Sequence, residues 1–375
     1  MIYNTHMKRI LFFVSCILLL VPFASYAQEN TTYIKGEVVE VLETTYPLVF
    51  GQEIEFQKLQ VSLENGIISD TVFNDYTPVR SGDTIYVTEG YDPDTDTEGF
   101  FVREIDRTSS MLWLFIIFAI VYIGITGMKG VRSLLALGIS IAAVWFVLIP
   151  LLVAGHNPLL VGLLISSIIL GLAIFITHGW NIVSISSYVG SLIAILVSMG
   201  FATYAISVGR ISGLVGDESS TISVLYGSAI DLQGLLLAAM IIGILGVLDD
   251  VAIMQAAMVR EFIYHKHGTY KQIFLTAMKV GREHAAALVN TLVLAYVAMA
   301  LPLLLIVLAP ANAYTGENIP FGMQLSNELF VTEFVRSIIG SFGLIITIPL
   351  VTLLALVLFR KFPPTEPGTV HSHHH

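Results

Sequence analysis

The chain has 375 residues, of which 55% are hydrophobic and 12% are charged, and its mean hydropathy is +0.80. Soluble globular domains carry about 25% charged residues, so this composition excludes a soluble protein and predicts a polytopic α-helical membrane protein. The net charge of -10 is concentrated between Gln28 and Arg107, where 17 acidic residues accompany 5 basic ones, and nothing in this distribution suggests a nucleic-acid binder.

Residues 1–27 have the zones of a secretory signal peptide. Two basic residues precede an apolar stretch at 10–24, and small residues follow up to Ala27. Cleavage after Ala27 and retention as an uncleaved signal anchor both fit this pattern. Cys16, the single cysteine, lies in the apolar stretch, so no internal disulfide is expected in the mature chain.

Residues 28–107 predict an acidic, extracytoplasmic β domain. Short runs rich in Val, Ile, Thr, Phe and Tyr are typical of strands, and they occur at 33–42, 55–63, 70–73, 83–88 and 100–105. Asn65-Gly66 and Ser81-Gly82 indicate turns between strands. Five short strands predict an OB-like barrel or a compact sandwich, and the pattern does not separate the two.

An acidic loop follows the fourth of these strands. Asp92, Asp94, Asp96 and Glu98 alternate with other residues, which resembles the start of a calcium-binding loop and makes a weak metal site possible. An EF-hand loop has Gly at its sixth position and Glu at its twelfth, and this loop has neither. The alternative interpretation is a solvated acidic hairpin loop.

Residues 108–361 predict a helical membrane domain. Seven stretches approach the twenty apolar residues that cross about 30 Å of hydrocarbon. They are 111–128, 133–154, 159–176, 182–208, 232–257, 285–309 and 338–359. Basic residues cluster at 129–132, 260–282 and 360–361, which predicts a cytoplasmic location for these loops and for the tail at 362–375.

Two further segments fit no span. The stretch at 211–230 contains three glycines and two acids among apolar residues, and it predicts an external loop with a short interfacial helix. The stretch at 326–336 predicts an amphipathic helix on the outer surface that leads into the last span.

Asp249 and Asp250 form the leading candidate site. They follow the apolar run at 232–248, and a membrane tolerates such charges only when they face protein, water or an ion. The run contains no lysine or arginine, so protons, a cation or a basic group from another helix must neutralise the pair. Gly243 and Gly246 precede Asp250 by seven and four positions, which predicts a smooth helix face for access or for packing.

Other polar residues of the fifth and sixth spans complete the predicted site. Asn290 and Thr291 could hydrogen-bond to the aspartate helix, either as substrate ligands or as interhelical contacts. Gln255 and Tyr296 are further candidates for ion or proton coupling. The chain has no nucleophile and base pairing, HExxH, CxxC or P-loop, so neither an enzyme nor a cofactor is expected.

Three segments resemble the YibE/F family of bacterial membrane proteins. They are Gly-Val-Leu-Asp-Asp-Val-Ala-Ile-Met-Gln-Ala at 246–256, Asn-Thr-Leu-Val-Leu-Ala-Tyr at 290–296, and Leu301-Pro302. The resemblance implies a bacterial cytoplasmic membrane protein with an external domain. The order of an acid-bearing helix, a basic linker and another helix is more weakly similar to SecD/SecF and RND-type membrane halves, which implies proton coupling.

The sequence therefore predicts a proton- or cation-coupled transporter in the lipid bilayer. Asp249 and Asp250 would bind or release the ion, and Asn290 and Thr291 would orient it. The alternative is a non-transporting accessory or sensor protein whose external β domain binds a partner protein.

Overall fold

The computed structural model describes residues 33–49, 52–53, 55–64, 66–75, 77–92, 97–265, 268–308 and 320–364. The predicted signal segment and the tail beyond residue 364 lie outside these ranges. The β strands and the first helix belong to one compact unit, and the helices from Met128 onward belong to a second.

The first unit contains a closed barrel of five strands. The strands described are β1 (Tyr33–Thr45), β2 (Leu48–Val49), β3 (Gln52–Glu53), β4 (Phe56–Leu63), β5 (Ile68–Asn74), β6 (Thr84–Asp92) and β7 (Thr97–Ile105). Their order around the barrel is β1-β4-β5-β7-β6, and β2 pairs with β3 in a separate hairpin. The β5–β7 pair is parallel and the other neighbouring pairs of the barrel are antiparallel. Because these five strands close into a barrel, the alternative of a sandwich is wrong.

Alternation of apolar residues explains the barrel core. Along β4 every second side chain is buried, including Leu59, Val61 and Leu63, because successive side chains of a strand point to opposite faces. The predicted turns are confirmed at Gly66 and Gly82, which have φ angles of 82° and 89°. Glycine adopts this left-handed conformation without the steric cost of a Cβ.

Among the residues that the structure describes, six helices are long and apolar enough to cross a membrane. The helices are α1 (Thr108–Thr126), α2 (Met128–Ala143), α3 (Ile149–Val153), α4 (Pro158–His178), α5 (Ile182–Gly209), α6 (Gly216–Tyr226), α7 (Leu232–Tyr264), α8 (Tyr270–Met299), α9 (Leu301–Leu308), α10 (Phe321–Leu325) and α11 (Glu328–Lys361). The six candidates are α1, the stretch from α2 to α3, α4, α5, α7 and α11. These helices and the barrel make the chain a multi-pass membrane protein with an N-terminal β domain.

The predicted crossing at 285–309 is divided between α8 and α9. The helix breaks at Ala300, two residues before Pro302, which has no N–H to donate to the preceding turn. Within the described residues neither part alone combines the length and the apolarity of a span. A count of seven spans therefore stays a prediction.

The structure can be compared with the predictions for the two segments outside the spans, 211–230 and 326–336. A short helix is present at 211–230 as α6. The stretch at 326–336, predicted as a helix that leads into the last span, is helical from Glu328, and α11 continues from there through that span without a break. Its location on the outer surface stays a prediction. Glu333 and Arg336 lie one helical turn apart in α11 and form an ion pair at 2.9 Å. Because their charges pair with each other, this polar stretch can be part of one continuous helix.

Small and hydroxylated residues allow close packing of α5 in the bundle. Ser187 is fully buried, and its hydroxyl donates to the carbonyls of Val183 and, across the interface, Ala252 of α7 at 3.0 Å. A Cβ on Gly190 would lie 2.5 Å from a methyl of Val351, so α5 and α11 are in contact here only because position 190 is glycine.

Candidate functional site

Asp249 and Asp250 lie near the middle of α7. The carboxylate of Asp231 caps this helix by accepting from the N–H of Gln233 at 3.1 Å. The helix has 33 residues and is therefore about 50 Å long, compared with about 30 Å for a hydrocarbon core. Because the pair is central in this length, it is far from both ends of the helix.

The two carboxylates line a cavity of about 480 Å³ between α2, α4 and α7. The other polar groups in its wall are the hydroxyls of Ser133, Ser140 and Thr177 and the imidazole of His178. The remaining wall is made of apolar side chains and glycine from the same three helices and from Val144. The cavity thus combines a charged region with an extended apolar surface.

Acidic side chains outnumber basic ones in the wall of this cavity. Among the described residues that line it there is no lysine or arginine, and His178 is the one side chain that can carry a positive charge. Asp249 is half-buried and Asp250 is exposed. The Asp249 carboxylate accepts a hydrogen bond from the backbone N–H of Asp250 at 2.9 Å. Such a site favours a proton or a cation.

A π-helical turn forms one edge of the cavity. It spans Val144–Leu148 between α2 and α3, and Val144 lines the cavity. The N–H of Ile149 donates to the carbonyl of Val144, five residues earlier, and Pro150 follows without an N–H. Pro150 is the sequence signal that could have predicted this π-helical turn. Neither the turn nor the place of His178 in the cavity wall was predicted from the sequence.

The two predicted access glycines have different neighbours. Gly246 lines the aspartate cavity, and a Cβ there would meet no atom within 4 Å. A Cβ on Gly243 would lie 3.4 Å from the hydroxyl of Tyr296 on α8. Gly246 therefore leaves space in the cavity, whereas Gly243 accommodates an aromatic side chain.

The other predicted site residues do not join the aspartates. Asn290 and Thr291 are exposed on α8, and the Thr291 hydroxyl donates to the Ala287 carbonyl at 3.1 Å. Tyr296 lines a second cavity of about 520 Å³, together with Glu333 and mostly apolar side chains of α8, α9 and α11. Neither Asn290 nor Thr291 lines the aspartate cavity.

Gln255 forms a separate polar contact inside the bundle. Its side chain is buried, and its amide donates to the carbonyl of Ala277 at 3.1 Å and to the hydroxyl of Thr352 at 2.8 Å. These bonds join α7 to α8 and α11. Gln255 thus contributes to helix packing and does not line the aspartate cavity.

The possible metal loop of the β domain is only partly described. Asp94 and Asp96 lie outside the described residues, and Asp92 and Glu98 belong to the paired strands β6 and β7. Within the described ranges, no group of three or more His, Cys, Asp or Glu residues could hold a metal ion.

A family model described as YibE/F-like protein matches residues 114–361. This range includes α2, α4 and α7 and therefore all the residues that line the aspartate cavity. No curated protein and no solved structure matches the chain.

Proposed function

We propose that this chain, which belongs to the YibE/F-like protein family, is a proton- or cation-coupled transporter with Asp249 and Asp250 at its ion-binding centre. The observation that supports the proposal most strongly is the cavity in which two carboxylates meet no lysine or arginine among the described lining residues. No enzymatic step is part of the proposal.

The proposed centre consists of Asp249, Asp250 and His178. Carboxylates within a membrane span are costly unless a proton or a cation neutralises them, so the occupied site is favoured over the empty one. Adjacent helical residues point about 100° apart, which lets Asp249 stay half-buried while Asp250 faces the open side of the cavity. Binding and release of the ion at this pair would couple to solute movement.

We also propose the topology of the chain in a bacterial cytoplasmic membrane. The basic residues at 129–132, 260–282 and 360–361, which lie at or near helix ends, favour a cytoplasmic C-terminus, seven crossings and an extracytoplasmic barrel. An OB-type barrel is supported by the order of its five long strands, first-second-third-fifth-fourth, with a parallel pair between third and fifth.

The experiment is proton flux in proteoliposomes that contain the full chain and a lumenal pH dye. Wild type is compared with Asp249→Asn and Asp250→Asn, and Glu283→Gln serves as a matched control because Glu283 is an exposed acid of α8 outside the cavity. We expect flux to fall by at least about tenfold in either aspartate variant. Equal flux in all four proteins would contradict the proposal.

The alternative function is an accessory or sensor protein that binds a partner through the barrel. A groove of about 510 Å³ on β5, β6 and β7 favours it, because Glu89, Glu98 and the exposed ring of Tyr91 line this groove. If this alternative is correct, Asp250→Asn would leave the function of the protein in the cell intact. Substitution of Glu89 and Glu98 together would abolish that function.

A further inference from the structure

We infer that the cavity around Asp249 and Asp250 binds an organic cation that has an ammonium-type head and an apolar body of several carbon atoms. The inference rests on the proposed function, and it specifies the class of ligand. It follows from the distribution of polar and apolar groups in the cavity and from the volume of the cavity.

The polar part of the wall suits a cationic head. Asp249 and Asp250 supply carboxylate oxygens, and Thr177 adds a hydroxyl, all in the same cavity. An ammonium group donates up to three hydrogen bonds, and charge-assisted bonds of this kind are short and strong. The described lining residues include no lysine or arginine, so His178 is the one lining side chain that could compete for these oxygens as a cation.

The apolar part of the wall suits a carbon skeleton. Leu137 and Ile141 from α2, Ile174 from α4 and Ile242 from α7 line the same space as the acids. A proton or a hydrated inorganic ion gains nothing from such surfaces, whereas each buried methylene of an organic ligand is stabilised by removal from water. This part of the wall would therefore stabilise a ligand that has an apolar body.

The volume of the cavity supports the same class of ligand. A cavity of about 480 Å³ lies within the range of roughly 300–1,000 Å³ that is typical of sites for small organic ligands. Asp249, Asp250 and His178 line the same cavity, but within the described residues no group of three or more such side chains could hold a metal ion, so the donor set does not favour one. A site for a single proton needs no such space.

Gly246 provides a substitution that fills the cavity. A Cβ at this position meets no atom within 4 Å, so Gly246→Leu places an isobutyl group in the cavity without a clash at the backbone. Gly200 of α5 is the matched control, because a Cβ there also meets nothing within 4 Å and the residue does not line the cavity. Both variants replace glycine in a helix, so their effects on helix formation are comparable.

The experiment measures equilibrium binding of radiolabelled propyl-, butyl-, pentyl- and hexylammonium to the full chain in lipid nanodiscs, with empty nanodiscs subtracted. We expect the affinity to rise roughly fourfold for each added methylene. Gly246→Leu should weaken hexylammonium binding by about tenfold or more, and Gly200→Leu should change it by less than about twofold. A monodisperse elution profile for each variant establishes that the comparison is between folded proteins.

Two results would overturn the inference. One is an affinity that does not depend on chain length, and the other is hexylammonium binding that is equal in wild type and Gly246→Leu. If aspartate-dependent proton flux persisted in either case, the proposed function would stand and only the class of ligand would be wrong.

Discussion

The ammonium group of Lys35 on β1 lies 2.6 Å from a carboxylate oxygen of Asp106, which follows β7 and precedes α1. Asp106 also accepts a hydrogen bond from the N–H of Thr108 at 2.9 Å, and its side chain is 8% exposed. One carboxylate therefore connects the first strand of the barrel to the beginning of the first membrane helix.

Asp106→Asn should weaken the protection of the β1 amides against hydrogen exchange. The hydrogen bond from Lys35 holds the pKa of Asp106 well below its usual range, with a further contribution from Thr108. A depressed carboxyl pKa stabilises the folded state fully above the unfolded value of about 3.9, and the effect is lost as the pH falls through the folded value. The advantage of wild type over Asp106→Asn should thus be constant from about pH 8 to 5 and shrink below about pH 4.

Hydrogen exchange of the β1 amides in the full chain, corrected for intrinsic exchange rates, measures this difference. Glu104→Gln is the matched control, because Glu104 pairs with Arg107 where both side chains are 50% exposed, and such surface pairs contribute little. Equal protection in wild type and Asp106→Asn at pH 7 would show that the pair does not stabilise the barrel.

A buried amide network inside the barrel supplies a second prediction. The Gln57 carbonyl oxygen accepts from the side-chain amide of Asn74 and from the N–H of Val79, both at 2.9 Å. Gln57→Leu removes that acceptor from the Val79 N–H, which should cost about 1–3 kcal/mol, whereas the Asn74 amide keeps its hydrogen bond to the Thr77 carbonyl at 2.8 Å. Exchange of the Val79 amide should accelerate correspondingly. Gln60→Leu is the control, because its bond to Asp70 is exposed, and no difference between the two variants would contradict the prediction.

Local sequence information was sufficient for much of the architecture. The strands follow from alternation, and the turns at Gly66 and Gly82 follow from dipeptides that favour left-handed backbone, because both signals involve neighbouring residues. The selection of Asp249 and Asp250 as candidates rests on charge within an apolar run, which is likewise a local property.

The neighbours of the aspartates could not be predicted in the same way. Which face of α8 turns toward α7 depends on packing over the whole bundle, so Asn290 and Thr291 were expected near the pair but lie on an exposed face. His178 reaches the cavity because it ends α4, which packs against α7, and no spacing along the sequence encodes that contact. Tertiary packing thus determines which side chains surround the aspartates, and local sequence patterns do not reveal them.

Gly281→Ala should destabilise the helix bundle. A Cβ at position 281 would lie 2.6 Å from a methyl of Ile348 and 3.0 Å from the side-chain oxygen of Gln255, so α8 would have to move away from α7 and α11. Overpacking of this kind costs about 1–3 kcal/mol. The midpoint of thermal unfolding in detergent should fall by several degrees, about 2–4 °C per kcal/mol in a large domain.

Gly200→Ala is the control for this measurement. A Cβ at position 200 meets nothing within 4 Å, and alanine favours the helix over glycine by roughly 1 kcal/mol. This variant should therefore unfold at an equal or higher temperature than wild type. A Gly281→Ala protein that is as stable as Gly200→Ala would show that the helices adjust without cost.

Glu328 should fix the segment between α5 and α6. One of its carboxylate oxygens accepts from the N–H and the hydroxyl of Ser212, at 2.6 and 2.7 Å, and from the N–H of Gly213 at 3.2 Å. On the other side, the Gln233 amide donates to the carbonyl of Ile211 at 2.6 Å, so the segment is tied to α7 as well as to α11. Because hydrogen bonds to a charged group contribute about 1.5–3 kcal/mol, Glu328→Ala should accelerate exchange of the Ser212 and Gly213 amides by roughly 10- to 100-fold. Glu328→Gln retains one acceptor oxygen and should have a smaller effect, whereas identical exchange in both variants would mean that the charge does not contribute.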